Sequence, residues 1–138
     1  MVNTLDMQGI RHLNLFGRIT RVPTKFCFSY NNFLIFCVPK QLISKAVGEN
    51  GGNVKKISSV LRKKIKIIPS PRGLGDVKFF IQKIVEPIEF REIEIQGNEI
   101  IISANRQSKA SLIGRDKRRL IELQKIIKDF FSKDVRIV

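Results

Sequence analysis

The chain has 138 residues, of which 43% are hydrophobic and 28% charged, so it can form one ordinary domain or two very small ones with packed cores. Lysine and arginine number 26 against 12 acidic residues, and the formal net charge of +14 predicts nucleic acid, an anionic membrane surface or a ribonucleoprotein as partner. No apolar run could cross a membrane, and no signal-peptide pattern is present. Two cysteines and one histidine are too few for a complete zinc site. We expect a soluble, cytoplasmic protein without metal or cofactor.

The basic charge is concentrated in the first half of the chain. Residues 1–70 hold 12 Lys and Arg against two acids, whereas residues 71–138 hold 14 against ten. The change coincides with Ser70-Pro71-Arg72-Gly73-Leu74-Gly75, whose proline and glycines cannot continue a helix or a central strand. We therefore predict a first domain over 1–71 and a second over 72–138.

The two halves are related by an internal repeat. A shift of 66 residues places Gly48 on Gly114 and Asn31-Asn32 on Gly97-Asn98. After a further slip of four residues, the basic strand 64–68 falls on 134–138. Four residues are close to one helical turn, so the helix before that strand should be one turn longer in the second copy. This spacing predicts two copies of one small domain.

An amphipathic helix opens each copy. In the first copy Asn3 is the predicted N-cap and Gly17 the predicted end, with these apolar residues at helical spacing: Met7, Ile10, Leu13 and Phe16. In the second copy Asp76 caps a shorter helix that Pro87 ends.

A hairpin follows the helix in each copy. Asn31-Asn32 and Gly97-Asn98 supply the positive φ that a two-residue loop needs between strands rich in branched and aromatic residues. The resulting register pairs Ile93 with Ile102 and Ile95 with Ile100. The equivalent register places Cys27 and Cys37 on opposite faces, so we predict two buried thiols and no disulfide.

Two short helices around a glycine turn, and then a basic strand, complete each copy. The turn in the first copy is Gly48-Glu49-Asn50-Gly51-Gly52, and the helix after it carries Lys55 and Lys56 on its outer side. The order is helix, strand, strand, helix, helix, strand. It predicts an α+β fold in which each domain packs a three-stranded sheet on three helices.

The glycine turn between helices is the strongest functional signal. A Gly-x-x-Gly turn lets the backbone approach a ligand without an intervening Cβ. The helix that follows presents free N–H groups and a positive dipole end, both of which favour phosphate. The pattern therefore predicts a phosphate-binding site, such as one for a nucleic-acid backbone.

Residues 47–57, with a hairpin before them and a basic strand after them, resemble a KH motif. The extra N-terminal helix and strand resemble type II, prokaryotic-type KH domains. The tandem pair, with Ile113-Gly114-Arg115-Asp116 in the second copy, resembles the archaeal NusA-like transcription termination and elongation factors. The resemblance implies an RNA-binding protein that regulates pausing, termination or antitermination, with single-stranded RNA and RNA polymerase as partners. We also expect a monomer without enzymatic activity.

The predicted RNA contacts lie in the two turns and on the helices beside them. They are Lys45, Gly48, Glu49, Asn50, Gly51, Gly52, Asn53, Lys55, Lys56, Gly114, Arg115, Asp116, Lys117, Arg118 and Arg119. Glu49 stands where the family usually has a basic residue, and Lys117 replaces the closing glycine of the second turn. We expect the first turn to be the better phosphate clamp, because a Cβ at residue 117 hinders close approach. Bases would rest in an aliphatic groove whose candidate residues, each of which could equally belong to the core, are Ile43, Val47, Val54, Ile57 and Ile67.

Three other readings remain open at this stage. A ribosomal or ribosome-assembly KH protein would share the motif. An interaction module could use the acidic hairpin of the second domain to dock a protein. An enzyme has little support, because the sequence contains no Cys–His or Ser–His–Asp constellation and no Walker loop. His12 is expected at a helix surface or partly buried rather than as an acid or base.

Overall fold

The structure is a computed structural model that describes residues 7–138. The predicted N-cap Asn3 lies outside the described residues. Within them the fold is α+β, with six helices and two three-stranded sheets. The chain divides into two compact units, of which the first ends at Ser70 and the second begins at Pro71.

Both units have the element order helix, strand, strand, helix, helix, strand. The elements of the first unit are α1 (Met7–Thr20), β1 (Phe26–Tyr30), β2 (Phe33–Val38), α2 (Ile43–Val47), α3 (Gly52–Leu61) and β3 (Lys64–Pro69). The elements of the second unit are α4 (Val77–Val85), β4 (Glu92–Gln96), β5 (Glu99–Ser103), α5 (Arg106–Ile113), α6 (Arg118–Phe131) and β6 (Asp134–Ile137).

The two sheets have the same topology. In each one the middle strand pairs antiparallel with the strand before it and parallel with the strand after it, in the orders β1-β2-β3 and β4-β5-β6. The predicted pairings of Ile93 with Ile102 and of Ile95 with Ile100 are confirmed. At the hairpin tips Asn31, Asn32 and Gly97 have φ values of 51°, 67° and 57°, as tight two-residue loops require.

The extra helical turn predicted for the second copy is also confirmed. Helix α3 has 10 residues and α6 has 14. The helices end in the same way, since Arg62 and Ser132 both adopt a left-handed conformation, with φ values of 54° and 56°. The longer helix carries Phe130 and Phe131, and both rings pack against Phe80 of α4.

The core of the first unit lies between the sheet and its helices. Phe36 of β2 is fully buried, and its ring stacks on Phe16 of α1 with the ring centroids 4.4 Å apart. Ala46 of α2 and Ile57 of α3 belong to the same buried cluster. Because these contacts come from α1, α2 and α3 together, they hold the two ends of the glycine turn in place.

Helix α1 continues beyond its predicted end. Gly17 lies inside the helix, and its carbonyl accepts a hydrogen bond from the Arg21 backbone N–H at 2.9 Å. The helix ends at Thr20, whose hydroxyl donates to the Phe16 carbonyl and accepts from the Val22 N–H. A glycine within a helix costs only about 1 kcal/mol, which this local hydrogen bonding offsets, so the predicted stop at Gly17 was wrong.

The buried face of α1 also differs from the predicted stripe. Met7 and Ile10 are 68% and 40% exposed. The buried residues of the helix are Gly9, His12, Phe16 and Thr20. His12 is only 8% exposed, more buried than expected. Phe16 is buried as predicted, because its ring stacks on Phe36, but Gly9, His12 and Thr20 share its face of the helix instead of Met7 and Ile10.

Asp76 occupies the predicted cap position of α4, but its side chain makes no capping hydrogen bond. Its carboxylate instead accepts hydrogen bonds from the Arg72 backbone N–H at 2.9 Å and from the Arg72 Nε at 3.1 Å. The carboxylate therefore closes the segment at the start of the second unit. Helix α4 ends at Val85, two residues before Pro87, as predicted.

The two cysteines are buried and form no disulfide, as the hairpin register predicted. Burial raises the pKa of the Cys27 thiol to about 12. It also raises the pKa of Cys37 well above the usual thiol range. Both side chains are therefore neutral thiols at physiological pH and serve as small apolar core residues.

Candidate nucleic-acid interface

The turn between α2 and α3 reverses the chain by means of three residues with positive φ. Gly48 has φ 82° and ψ 166°, Asn50 has φ 54°, and Gly51 has φ 71°. The Gly48 N–H closes α2 by donating to the Ser44 carbonyl at 3.0 Å, and the Gly51 N–H donates back to the Gly48 carbonyl at 3.1 Å. The turn is therefore a fixed hydrogen-bonded structure rather than a loose connection.

Asn53 holds the inner side of this turn. Its Nδ2 donates a hydrogen bond to the Lys45 carbonyl at 3.2 Å and so links α3 to the end of α2. A Cβ placed on Gly48 would lie 2.9 Å from the Cγ and from the backbone nitrogen of Asn53. Gly48 is therefore required by its φ and by this contact. The side chain of Asn53, predicted to contact RNA, makes a structural hydrogen bond.

The outer side of the first turn is open. A Cβ on Gly51 or Gly52 would have no atom within 4 Å. Glu49, Asn50 and Gly52 are exposed. Helix α3 begins without a side-chain cap, so the N–H groups of its first turn point towards a free surface. An anion can approach those groups without displacing any side chain.

Three cations surround the open turn. Lys45 lies in the last turn of α2, and Lys55 and Lys56 lie near the start of α3; all three are exposed. The chain has no Asp or Glu between residues 7 and 48, so Glu49 is the one acid of the turn. The lysines therefore outweigh Glu49, and the local field favours an anionic ligand.

The turn between α5 and α6 has the same backbone conformation. Gly114 has φ 75° and ψ 171°, while Asp116 and Lys117 have φ values of 55° and 61°. These angles match Gly48, Asn50 and Gly51 in order, so the second turn keeps its shape although Lys117 replaces glycine. Four residues of this turn are exposed: Arg115, Asp116, Lys117 and Arg118.

Arg119 takes the position that Asn53 has in the first unit. The site where Gly114 would carry a Cβ lies 2.7 Å from the Arg119 Cγ. The Arg119 Nε is 2.9 Å from a carboxylate oxygen of Glu122, and the Arg119 side chain is only 18% exposed. The stem of Arg119 therefore packs on the turn, while its charge is paired with Glu122.

The left-handed conformation of Lys117 gives a testable difference between the turns. Lys117→Gly is expected to raise the free energy of unfolding by about 1 kcal/mol, because a residue with a Cβ is strained at this φ. Gly51→Lys is expected to lower it by about 1 kcal/mol for the same reason. Urea denaturation of both variants measures the effect. If both variants had the same free energy of unfolding as the unaltered protein, Lys117 would not be strained.

The predicted aliphatic groove is only partly available. Ile43, Val47, Val54 and Ile67 are half-buried, as a groove lining requires. Ile57 is fully buried among core residues, so it belongs to the core and not to the groove. The repeat places Lys109 at the position of Ile43, a difference between the two grooves that the sequence analysis missed but that the 66-residue shift reveals.

Comparison with solved structures identifies a chain of similar fold. The chain resembles the crystal structure of APE1850 with a TM-score of 0.69 and 20% sequence identity. The match covers 94% of this chain and 96% of that chain, and it shows a shared fold.

Comparison with curated proteins adds one named relative. The chain is 29% identical over 100 residues to the "Probable transcription termination protein NusA" of Methanococcus vannielii. The aligned region covers 71% of this chain and 56% of the relative, so this chain spans little more than half of that protein's length. No protein-family model matches the chain.

Two features are absent from residues 7–138. No helix in this range is long and apolar enough to cross a membrane. In the same range no group of three or more His, Cys, Asp or Glu side chains could hold a metal ion.

Proposed function

We propose that this protein binds single-stranded RNA through two type II KH domains, at 1–71 and 72–138, and that it is a NusA-like regulator of transcription pausing, termination or antitermination. It has no enzymatic activity, is a cytoplasmic monomer, and contacts RNA polymerase. One observation carries the RNA-binding part of this proposal: the open glycine turn at the start of α3, which recurs before α6 with the same backbone angles.

The fold supports the KH assignment through its element order. Each unit places a helix and a strand before the strand–helix–helix–strand portion that contains the turn. A KH domain uses such a turn to clamp about four nucleotides of backbone. In the first unit the free N–H groups of α3, together with Lys45, Lys55 and Lys56, would bind the phosphates. The half-buried side chains Ile43, Val47 and Val54 would contact the bases.

The second turn would bind RNA in a different way. Its cations Arg115, Lys117 and Arg118 are exposed, but Lys117 places a Cβ where Gly51 has none. Arg119 is paired with Glu122, which lowers its value as a phosphate ligand. We therefore rank the first turn as the tighter clamp and the second as a more electrostatic surface.

The proposed transcription role rests on the similarity to the NusA relative. The proposed RNA binding rests on the open glycine turn and the lysines around it. The competing role is that of a ribosomal or ribosome-assembly protein. Co-purification with RNA polymerase subunits supports the transcription role, whereas co-sedimentation with ribosomal subunits supports the other.

The salt dependence of the affinity for single-stranded RNA tests the proposed RNA binding. If about four to six phosphates are neutralised, the logarithm of the association constant should fall against the logarithm of salt concentration with a slope of roughly −3 to −4. Fluorescence anisotropy with a labelled single-stranded oligonucleotide measures this slope. The same sequence annealed into a duplex is the control and should bind more weakly, because its backbone cannot enter the turn. A slope near zero, or equal binding of the duplex, would contradict the proposal.

A further inference from the structure

Helix α1 has an apolar face that the first unit leaves uncovered. Met7 is 68% and Ile10 is 40% exposed, and Leu13 is half-buried. With Gly17 these residues follow the spacing of one helical stripe, beside the face that packs on the sheet through Phe16. Exposed large apolar residues at regular spacing mark an interaction surface more often than isolated ones do.

The part of this stripe from Ile10 to Gly17 forms one wall of a groove, which we call the α1 groove. The other wall is the segment between α1 and β1, and it contributes Pro23 and the half-buried ring of Phe26. Gly17 lies in the wall with no atom within 4 Å of its Cβ position, so it leaves a notch in the helix surface. The lining therefore combines these apolar side chains with the polar side chains of Asn14 and Thr24.

The rim of the α1 groove is cationic. Arg18, Arg21 and Lys25 line it and are exposed or nearly so. None of them forms an ion pair with a residue in the described range 7–138. The absence of any Asp or Glu from residue 7 to residue 48 leaves these charges uncompensated along the chain.

We propose that the α1 groove binds an amphipathic helix of a protein partner, with the apolar face of that helix on Ile10, Leu13 and Phe26 and with acidic residues beside Arg18, Arg21 and Lys25. An apolar stripe at helical spacing suits apolar side chains spaced i, i+3 and i+7 on a partner helix. The notch at Gly17 lets the partner's backbone approach closely. The charged rim adds selectivity for an acidic sequence and increases the association rate.

The same features disfavour other occupants. A second copy of this chain carries the same +14 charge and would bring two cationic rims together. Single-stranded RNA would find no open helix N-terminus in this groove for its phosphates, because Gly17 lies inside α1. The α1 groove is therefore a protein-docking surface that is separate from the glycine turn.

A designed peptide tests this docking surface. The probe is a labelled peptide about four helical turns long, with Leu at i, i+3, i+7 and i+10 and Glu elsewhere on its surface. We expect the full chain to bind this probe at least about tenfold more tightly than a scrambled peptide of equal composition, and more tightly than a version with Lys in place of Glu. Equal binding of the scrambled peptide would overturn the proposal.

One substitution separates this groove from the RNA site. Gly17→Glu fills the notch and adds a negative charge, and it should not unfold the protein, because no atom obstructs a side chain there. It is expected to weaken probe binding by at least about tenfold, while Gln82→Glu, the same charge change on exposed helix α4, has little effect. RNA affinity should be equal in the two variants. A selective loss of RNA affinity in Gly17→Glu would instead show that the groove binds RNA and would overturn the proposal.

Discussion

Replacing Gly48 with alanine is expected to lower the free energy of unfolding by about 2–4 kcal/mol. The backbone at Gly48 has φ 82° and ψ 166°, a region that residues with a Cβ adopt only under strain. The new Cβ would also lie 2.9 Å from the Asn53 backbone nitrogen, which cannot move without displacing α3. Both effects act on the folded state, so stability is lost together with the shape of the turn.

Denaturation in urea measures this loss, and two other glycines provide the comparison. Gly17→Ala should be neutral or slightly stabilising, because Gly17 lies inside α1 with open space at its Cβ position. Gly114→Ala should be destabilising but less so than Gly48→Ala, since its shortest contact is with the flexible side chain of Arg119. If Gly48→Ala were as stable as the unaltered protein, the turn could not have the conformation described.

Replacing Gly52 with aspartate is expected to weaken the binding of single-stranded RNA by at least about tenfold without loss of stability. Gly52 has helical angles, φ −58° and ψ −41°, and open space at its Cβ position. A carboxylate in the first turn of α3 stabilises the helix by about 0.3–1 kcal/mol. The same carboxylate occupies the place where we expect a phosphate and repels it. Binding and stability should therefore change in opposite directions.

Matched variants show whether charge and position both matter. Gly52→Asn has nearly the same shape as aspartate without the charge, and it should retain most of the RNA affinity. Arg118→Asp places a carboxylate at the equivalent position of the second unit and also removes a cation. Although its change in charge is larger, we expect a smaller loss of RNA affinity than in Gly52→Asp. Anisotropy titrations measure all three variants.

A larger loss in Arg118→Asp would reverse our ranking of the two turns. If neither aspartate variant lost affinity, the glycine turns would not be the RNA site, although other basic surfaces could still bind RNA. Urea denaturation of the same protein samples is needed in either case, because weaker binding by an unfolded protein would carry no information.

The features that were predictable from the sequence are those set by short segments of chain. The hairpin registers followed from two-residue loops with Asn and Gly, because the loop length determines which residues face each other. The extra turn of α6 followed from the four-residue slip in the repeat. The glycine turn was visible because glycine adopts a positive φ without strain, as Gly48 and Gly51 do.

The features that were not predictable depend on which surfaces pack together. The predicted apolar stripe of α1 contained both Ile10 and Phe16, and periodicity alone does not show that Phe16 faces the sheet while Ile10 stays exposed. Likewise Asn53 and Arg119 differ in chemistry, and only the structure shows that both pack against the first glycine of their turns. The α1 groove is exposed because Ile10 lies outside the face of α1 that packs on the sheet.

Local sequence patterns thus determined the order of the elements, the duplication, the strand pairing and the position of both turns. Turn residues and side-chain periodicity allow few alternative conformations for such short segments. Tertiary packing decided the buried face of α1, the place of Ile57 in the core and the pairing of Arg119 with Glu122. The physical reason is that burial free energy depends on contacts between segments far apart in the chain, and a pattern within one segment does not contain those contacts.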